Sequence, residues 1–336
     1  MQNKRADIPY CGVSQQKIRE AKPKLNAVAV KHFYDFVTER YKIHIRKDFL
    51  KQKAPWTNNP ILSQYKFCNI RREHDRQSQY LIKNISTSPC LSLEDKIVNS
   101  FYFRAWNNWD TMKDLGGPWP AKCIYSSQMK ERVRPIYQQL ASEDPDRKWW
   151  SSAYNQGGTK QAWRYPDPNE KINKENDIPL RVFHIGPWLK EHNTVEKLLS
   201  ASDQKAAFEA IKEIQGFADF LAYQIFVDLT YIEEFPFSEN EFVVAGPGCQ
   251  KGLNKLFDDY DWLTFEEALF WLADNIDEIF NEVHPPFWAG RLFVDLPQED
   301  RFFSVMCLEN CMCEFCKYIR TIEGNGRPRV KYKQHE

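Results

Sequence analysis

A chain of 336 residues with 46 basic and 46 acidic side chains has no net formal charge, which excludes a bulk polycation and confines any nucleic-acid binding to a local basic surface. Aromatic residues make up 15%, with 11 Trp and 23 Phe against 13 Gly, a mix that favours helices packed through large side chains over a glycine-rich parallel sheet. No run is long and apolar enough to span a membrane, and MQNKRADIPYCGVSQQ lacks the apolar core of a secretion signal.

Residues 1–24 read as a loose polar tail. From Leu25 to about Gln52 the apolar positions Phe33, Phe36, Val37, Tyr41 and His44 recur at three and four, the helical period. PWTNNP (55–60), two prolines around Trp56, breaks that helix. A second helix is expected from about Phe67 to Ile85. It carries Asn69 at its entry and then Arg71, Arg72, Glu73, His74, Asp75 and Arg76 in a row. On such a helix Ile70, His74 and Leu81 pack inward, while Arg72 and Arg76 share another face. Intrahelical pairing of Arg72 with Asp75 and Arg76 with Glu73 is the plain reading; a polyanion site is the functional one.

Ser92 and Asp95 mark the start of a helix that runs to Asn108. DLGGPWP is a turn, and 121–142 reads as helix. From 144 to 180 Pro, Asn, Gly and charge follow no period, which reads as a long insertion loop. Helical signals return over 194–214, 218–233, 248–258, 264–282 and 297–320. FVVAG at 242–246 is the best strand signal. RPRVKYK closes the chain within a basic tail over 323–336. The nine cysteines form an odd set in a long chain and read as reduced thiols of a cytoplasmic or nuclear, non-secreted protein.

Two loops offer anion sites. In AIKEIQGFADFLAYQIFVDL a helix turns through Gln215, Gly216 and Phe217 straight into another, the grammar of a helix-hairpin-helix. Such a turn aims backbone N–H groups at a phosphate, although a glycine-capped αα-hairpin looks the same. In VVAGPGCQKGLNKLF, Gly246 and Gly248 open a helix that carries Lys251 and Lys255 on one face. No GxxxxGK[ST] is present, so there is no ATP cradle of the P-loop kind.

Four blocks, PWTNNPILSQYKFCNIRREHDRQSQYLI, FLAYQIFVDL, GPG and NCMCEFCKY, stand in the order of one family. Over residues 30–320 the chain resembles the 5-hydroxymethyluracil DNA kinase helical domain, or alpha-glutamyl/putrescinyl thymine pyrophosphorylase, group. The resemblance implies an all-α, helix-hairpin-helix DNA glycosylase-like fold over 25–322. It implies hypermodification of thymine in double-stranded DNA. An amine, from an amino acid or a polyamine, would displace pyrophosphate from a pyrophosphorylated 5-hydroxymethyluracil. The glycosylase Asp expected past the hairpin glycine has no counterpart, which counts against base excision. A non-catalytic DNA-binding module is the remaining alternative.

On this reading Asn69, Arg72, Arg76, Lys251 and Lys255, with the glycines 216, 246 and 248, hold DNA or the leaving pyrophosphate. Asp228, Glu73, Glu314 and Lys317 are the catalytic candidates, a carboxylate keeping the amine neutral. Trp56 stacks on an extruded base or anchors the core. Cys307, Cys311, Cys313 and Cys316 are too crowded for the relatives' cluster spacing and are read as thiols. No metal ligands are assigned, though a divalent ion could assist departure of pyrophosphate.

Overall fold

A computed structural model describes residues 10–151, 178–214, 216–328 and 330–332. Helices dominate, and the sheet found among these residues has two short strands, Lys24–Leu25 paired antiparallel with Phe257–Asp259. The fold is all-α. No helix in the described residues is long and apolar enough to cross a membrane. The chain forms two compact units, one built from 1–75 with 239–336 and the other from 76–238.

In the first unit Ala27–His44, Pro247–Leu256, Phe265–Val283 and Val305–Ile322 are the main helices. Their starts follow from local chemistry. Asn26 accepts from the Ala29 N–H, and Ser304 accepts from the Cys307 N–H. Thr264 and Glu267 close a reciprocal capping box. Phe33 packs against Phe280 and Phe315 at ring-centroid distances of 5.4 and 5.1 Å. A β-carbon at Gly252 would fall 2.1 Å from the Met312 carbonyl oxygen, and one at Gly248 would fall 2.5 Å from Cys313 Sγ. Glycine at both positions lets the 247–256 helix lie against the 305–322 helix.

Two expectations give way here. FVVAG at 242–246 is not a strand but chain without regular structure leading into the next helix. Within the expected N-terminal tail, Gln15–Glu20 is a helix, and Lys17 pairs with Glu267 at 2.5 Å. That glutamate also caps its own helix, so one carboxylate fixes both segments.

The second unit centres on Leu93–Trp106 and Asp219–Leu229. Ser92 and Asp95 form the capping box that the sequence announces. Tyr102, Trp106, Trp119 and Phe183 make an aromatic core with centroid separations of 5.3–6.4 Å. The expected helix over 194–214 is two, Thr194–Leu199 and Gln204–Lys212, the second restarted by the Asp203 cap. Most of the expected insertion at 144–180 lies outside the described residues.

Candidate functional site

The charged run at 67–85 is not one helix. Arg72–His74 is a single 3-10 turn, Asp75 is extended (ψ 141°), and an α-helix begins only at Arg76. The reason lies in the partners of residues 67–75. Arg40 donates to the carbonyls of Phe67 and Cys68 at 3.1–3.2 Å. The Cys68 N–H reaches Glu314 Oε2 at 3.2 Å, and the Arg72 N–H reaches Cys307 Sγ at 3.4 Å. Cys311 Sγ donates to the Ile70 carbonyl at 3.3 Å. Buried backbone groups must find partners, and here side chains of two other helices supply them. Asn69 and Asp75 close the loop on itself: the Asn69 N–H donates to Asp75 Oδ1 at 2.8 Å, and its amide donates to the His74 carbonyl at 2.9 Å.

The arginines are therefore buried. Arg71 and Arg72 are 5% and 7% exposed. Arg71 donates to Glu73 Oε1 at 2.5 Å, to the Phe302 carbonyl at 2.9 Å and to Glu239 Oε1 at 3.4 Å. Burial pushes Glu73 upward, but the Arg71 charge outweighs it and holds the carboxyl below its usual range. Burial wins for Glu239, whose pKa is raised. Arg72 faces Glu309 Oε2 at 3.6 Å.

Glu309 also accepts from the Gly246 N–H, and burial raises its pKa to about 7 against the opposing Arg72 charge. A carboxylate of the chain itself thus sits at the start of the 247–256 helix, where the sequence reading placed an external phosphate. The folded protein keeps Glu309 protonated up to about pH 7, whereas the unfolded chain ionises near 4.5. The folded pKa is the higher one, so stability falls as pH rises through that window, by roughly 3 kcal/mol. Glu309→Gln should flatten the fall, read from urea midpoints at about pH 5 and pH 7.5; parallel losses in both proteins would exclude Glu309 as the source.

Other expected site residues are spread more widely. Glu314 pairs with Lys317, whose pKa its neighbouring anions raise against the effect of burial. Lys255 pairs with Glu323 at 2.8 Å on the surface, and Lys251 is exposed with no ion pair among the described residues. Trp56 is buried, donates to the Gln52 carbonyl at 2.8 Å and carries Lys47 over its ring at 5.0 Å, the setting of an anchor. Cys307, Cys311 and Cys316 are buried free thiols, and Cys313 is half-buried with its pKa pushed up to about 12 by burial.

Three expected residues lie in the second unit. Arg76 is 74% exposed at its side chain, 3.8 Å from Asp110 and over the ring of Trp109; the extended Asp75 prevents it from sharing a helix face with Arg72. Gly216 has φ +93°, the left-handed region that the turn requires and glycine allows. Gln215 lies outside the described residues. Asp228 is fully buried and forms a bidentate pair with Arg104.

Sequence reasoning missed Glu239 and Glu309 in the charged cluster and Arg104 beside Asp228. Glu309 had a signal: in VMCLENCMCEFCK it stands among Cys, Met and Leu on the apolar side of its helix.

Residues 27–327 match the family described as 5-hmdU DNA kinase, helical domain. A similar curated protein is the "5-hmdU DNA kinase" of Bacillus phage SP10, 23% identical over 300 residues, which cover 84% of this chain and 44% of that protein. The chain thus spans less than half the length of that relative. No solved structure matches.

Proposed function

The chain belongs to the 5-hmdU DNA kinase helical-domain family, and on that premise we propose that it is an enzyme modifying 5-hydroxymethyluracil bases in DNA. The observation that carries the reading is the buried charged cluster on 69–75 and 307–317. Ion pairs kept out of water at this density serve poorly as stabilisers and well as preorganised electrostatics. The relative's printed name points to phosphorylation. That name covers a protein more than twice the matched length, and this chain has no GxxxxGK[ST].

The finer reaction we favour is amine transfer. The amine nitrogen attacks the exocyclic methylene carbon of a pyrophosphorylated base, the carbon–oxygen bond breaks, and pyrophosphate departs. The extra N–H proton goes to a carboxylate, with Glu314 or Glu309 as acceptor. Arg72 and Lys251 neutralise the leaving group, with Lys255 and Asn69 as further phosphate contacts; Arg76 and the turn at Gly216, in the other unit, are proposed separately as contacts to the DNA backbone. Glu73 and Lys317 orient these groups. A helix-hairpin-helix, glycosylase-like arrangement is part of this reading. So is duplex DNA as the partner, because a base must leave the stack to react.

Nucleoside mass spectrometry tests it, on duplex DNA carrying pyrophosphorylated 5-hydroxymethyluracil incubated with amino acids and polyamines. A heavier, amine-bearing nucleoside is expected. Arg72→Ala and Lys251→Ala should each slow its formation by about 100-fold, the scale of losing one transition-state charge contact. A phosphate adduct formed only with ATP would favour kinase chemistry. A missing base would point to excision. Unchanged nucleosides with retained, salt-sensitive DNA binding would leave a binding module.

A further inference from the structure

We propose that His44, His74 and Asp295 form a binding site for a divalent transition-metal ion. One ligand atom from each lies within 4.8 Å of the others. His44 Nε2 and His74 Nε2 approach the same oxygen, Asp295 Oδ2, at 3.2 and 3.7 Å. Two imidazoles converging on one carboxylate make an N2O donor set, which suits zinc, iron(II) or manganese better than calcium. Three protein ligands leave positions open for water or a substrate oxygen.

Two further observations point to a cation. The Asp295 side chain is 6% exposed, and its partners among the described residues are Tyr41 Oη and the two rings, with no Lys or Arg. The countercharge at hand is an imidazole that must carry a proton to supply it, and a bound ion would supply it instead. His74 Nδ1 is buried without a hydrogen-bond partner, whereas such atoms are nearly always satisfied. The surroundings are those of a metal ligand as well: His44 Nδ1 lies 3.3 Å from the Asp48 carboxylate, the outer contact that orients a ligating imidazole. The other mixed group, Glu73, Glu239 and Cys307, already has the Arg71 guanidinium on both carboxylates and needs no ion.

The rings stack, with centroids 4.1 Å apart and planes 12° from parallel. An ion lies in the plane of each imidazole it binds, so binding must splay this pair. That movement gives the site a signature separate from any activity, and the proposal stands apart from the reaction assigned above.

Cobalt(II) titration of the full chain tests it, because a thiolate ligand would reveal itself by a charge-transfer band. Wild-type protein is expected to take up one equivalent with visible d–d bands and no thiolate band. His74→Gln and Asp295→Asn should abolish that uptake, and Asp48→Asn should weaken it about 10–100-fold. No uptake, uptake with a thiolate band, or uptake unchanged in the two ligand variants would overturn the site. Should those variants not fold, wild-type protein decides it. On zinc addition, two histidine rings must show coordination shifts of a ring nitrogen, and a spectrum without them refutes the proposal.

Discussion

Asp228→Asn is expected to lose about 3–5 kcal/mol of stability, the cost of stranding a buried charge. Asp228 is fully buried, and the Arg104 guanidinium that grips it also donates to Asn107 Oδ1 at 2.9 Å. Amide for carboxylate preserves shape and removes the charge, so Arg104 remains desolvated beside a neutral group. Urea unfolding reads the loss. A double variant, Arg104→Met with Asp228→Leu, should recover much of it, because two apolar side chains of similar volume need no desolvation. A single variant within 1 kcal/mol of wild type would show that the pair is not the clamp described here. The point bears on function: an inactive Asp228 variant that is also unfolded says nothing about catalysis.

Arg71→Met should cost as much, about 3–5 kcal/mol, and should also change the pH response. Arg71 stands between Glu73 and Glu239, at 2.5 and 3.4 Å. Without it two half-buried carboxyls face each other with only the weaker influence of Arg72 and His74 opposing them, and their folded pKa values rise above the unfolded ones. For an acid shifted upward, stability is greatest below the unfolded pKa and falls as pH rises through the folded value. The variant should therefore approach wild type near pH 4.5 and separate from it toward pH 8, as thermal melts across about that range would record. A pH-independent deficit would mean that lost packing against Phe293, rather than charge, is the cause.

How far the chain could be read in advance follows from where the determining partners lie. Ser92 with Asp95 is a contact of three residues, and the helix it starts was legible. The 67–75 segment was misread because a helical period counts charge as a solvent face. Its actual partners are Arg40, Glu239, Cys307, Glu309 and Glu314, up to 246 residues away. Glycine at 246 and 248 was singled out as an anion loop, and the structure supplies a second reason for it. Close approach to Glu309 and Cys313 explains both, and no local pattern distinguishes that from a phosphate loop. Residues of one short block, Asn69 to Glu73, lie together in the charged cluster. Their distant counterions were not legible, because ion pairing across the chain leaves no spacing to find.

The first unit is assembled from two stretches separated by 163 residues, 76–238. Synthesis runs in one direction, so the 67–75 segment leaves the ribosome long before Val305–Ile322 exists. Meanwhile Arg71, Arg72 and the hydrogen-bonding backbone around them stand in water or in the care of a chaperone. The contiguous stretch 76–238 is free to form its own core first. The charged cluster is then completed in one late, long-range step, slow for its contact order. Truncation anywhere before Glu309 leaves a nascent chain that lacks the carboxylate facing Arg72.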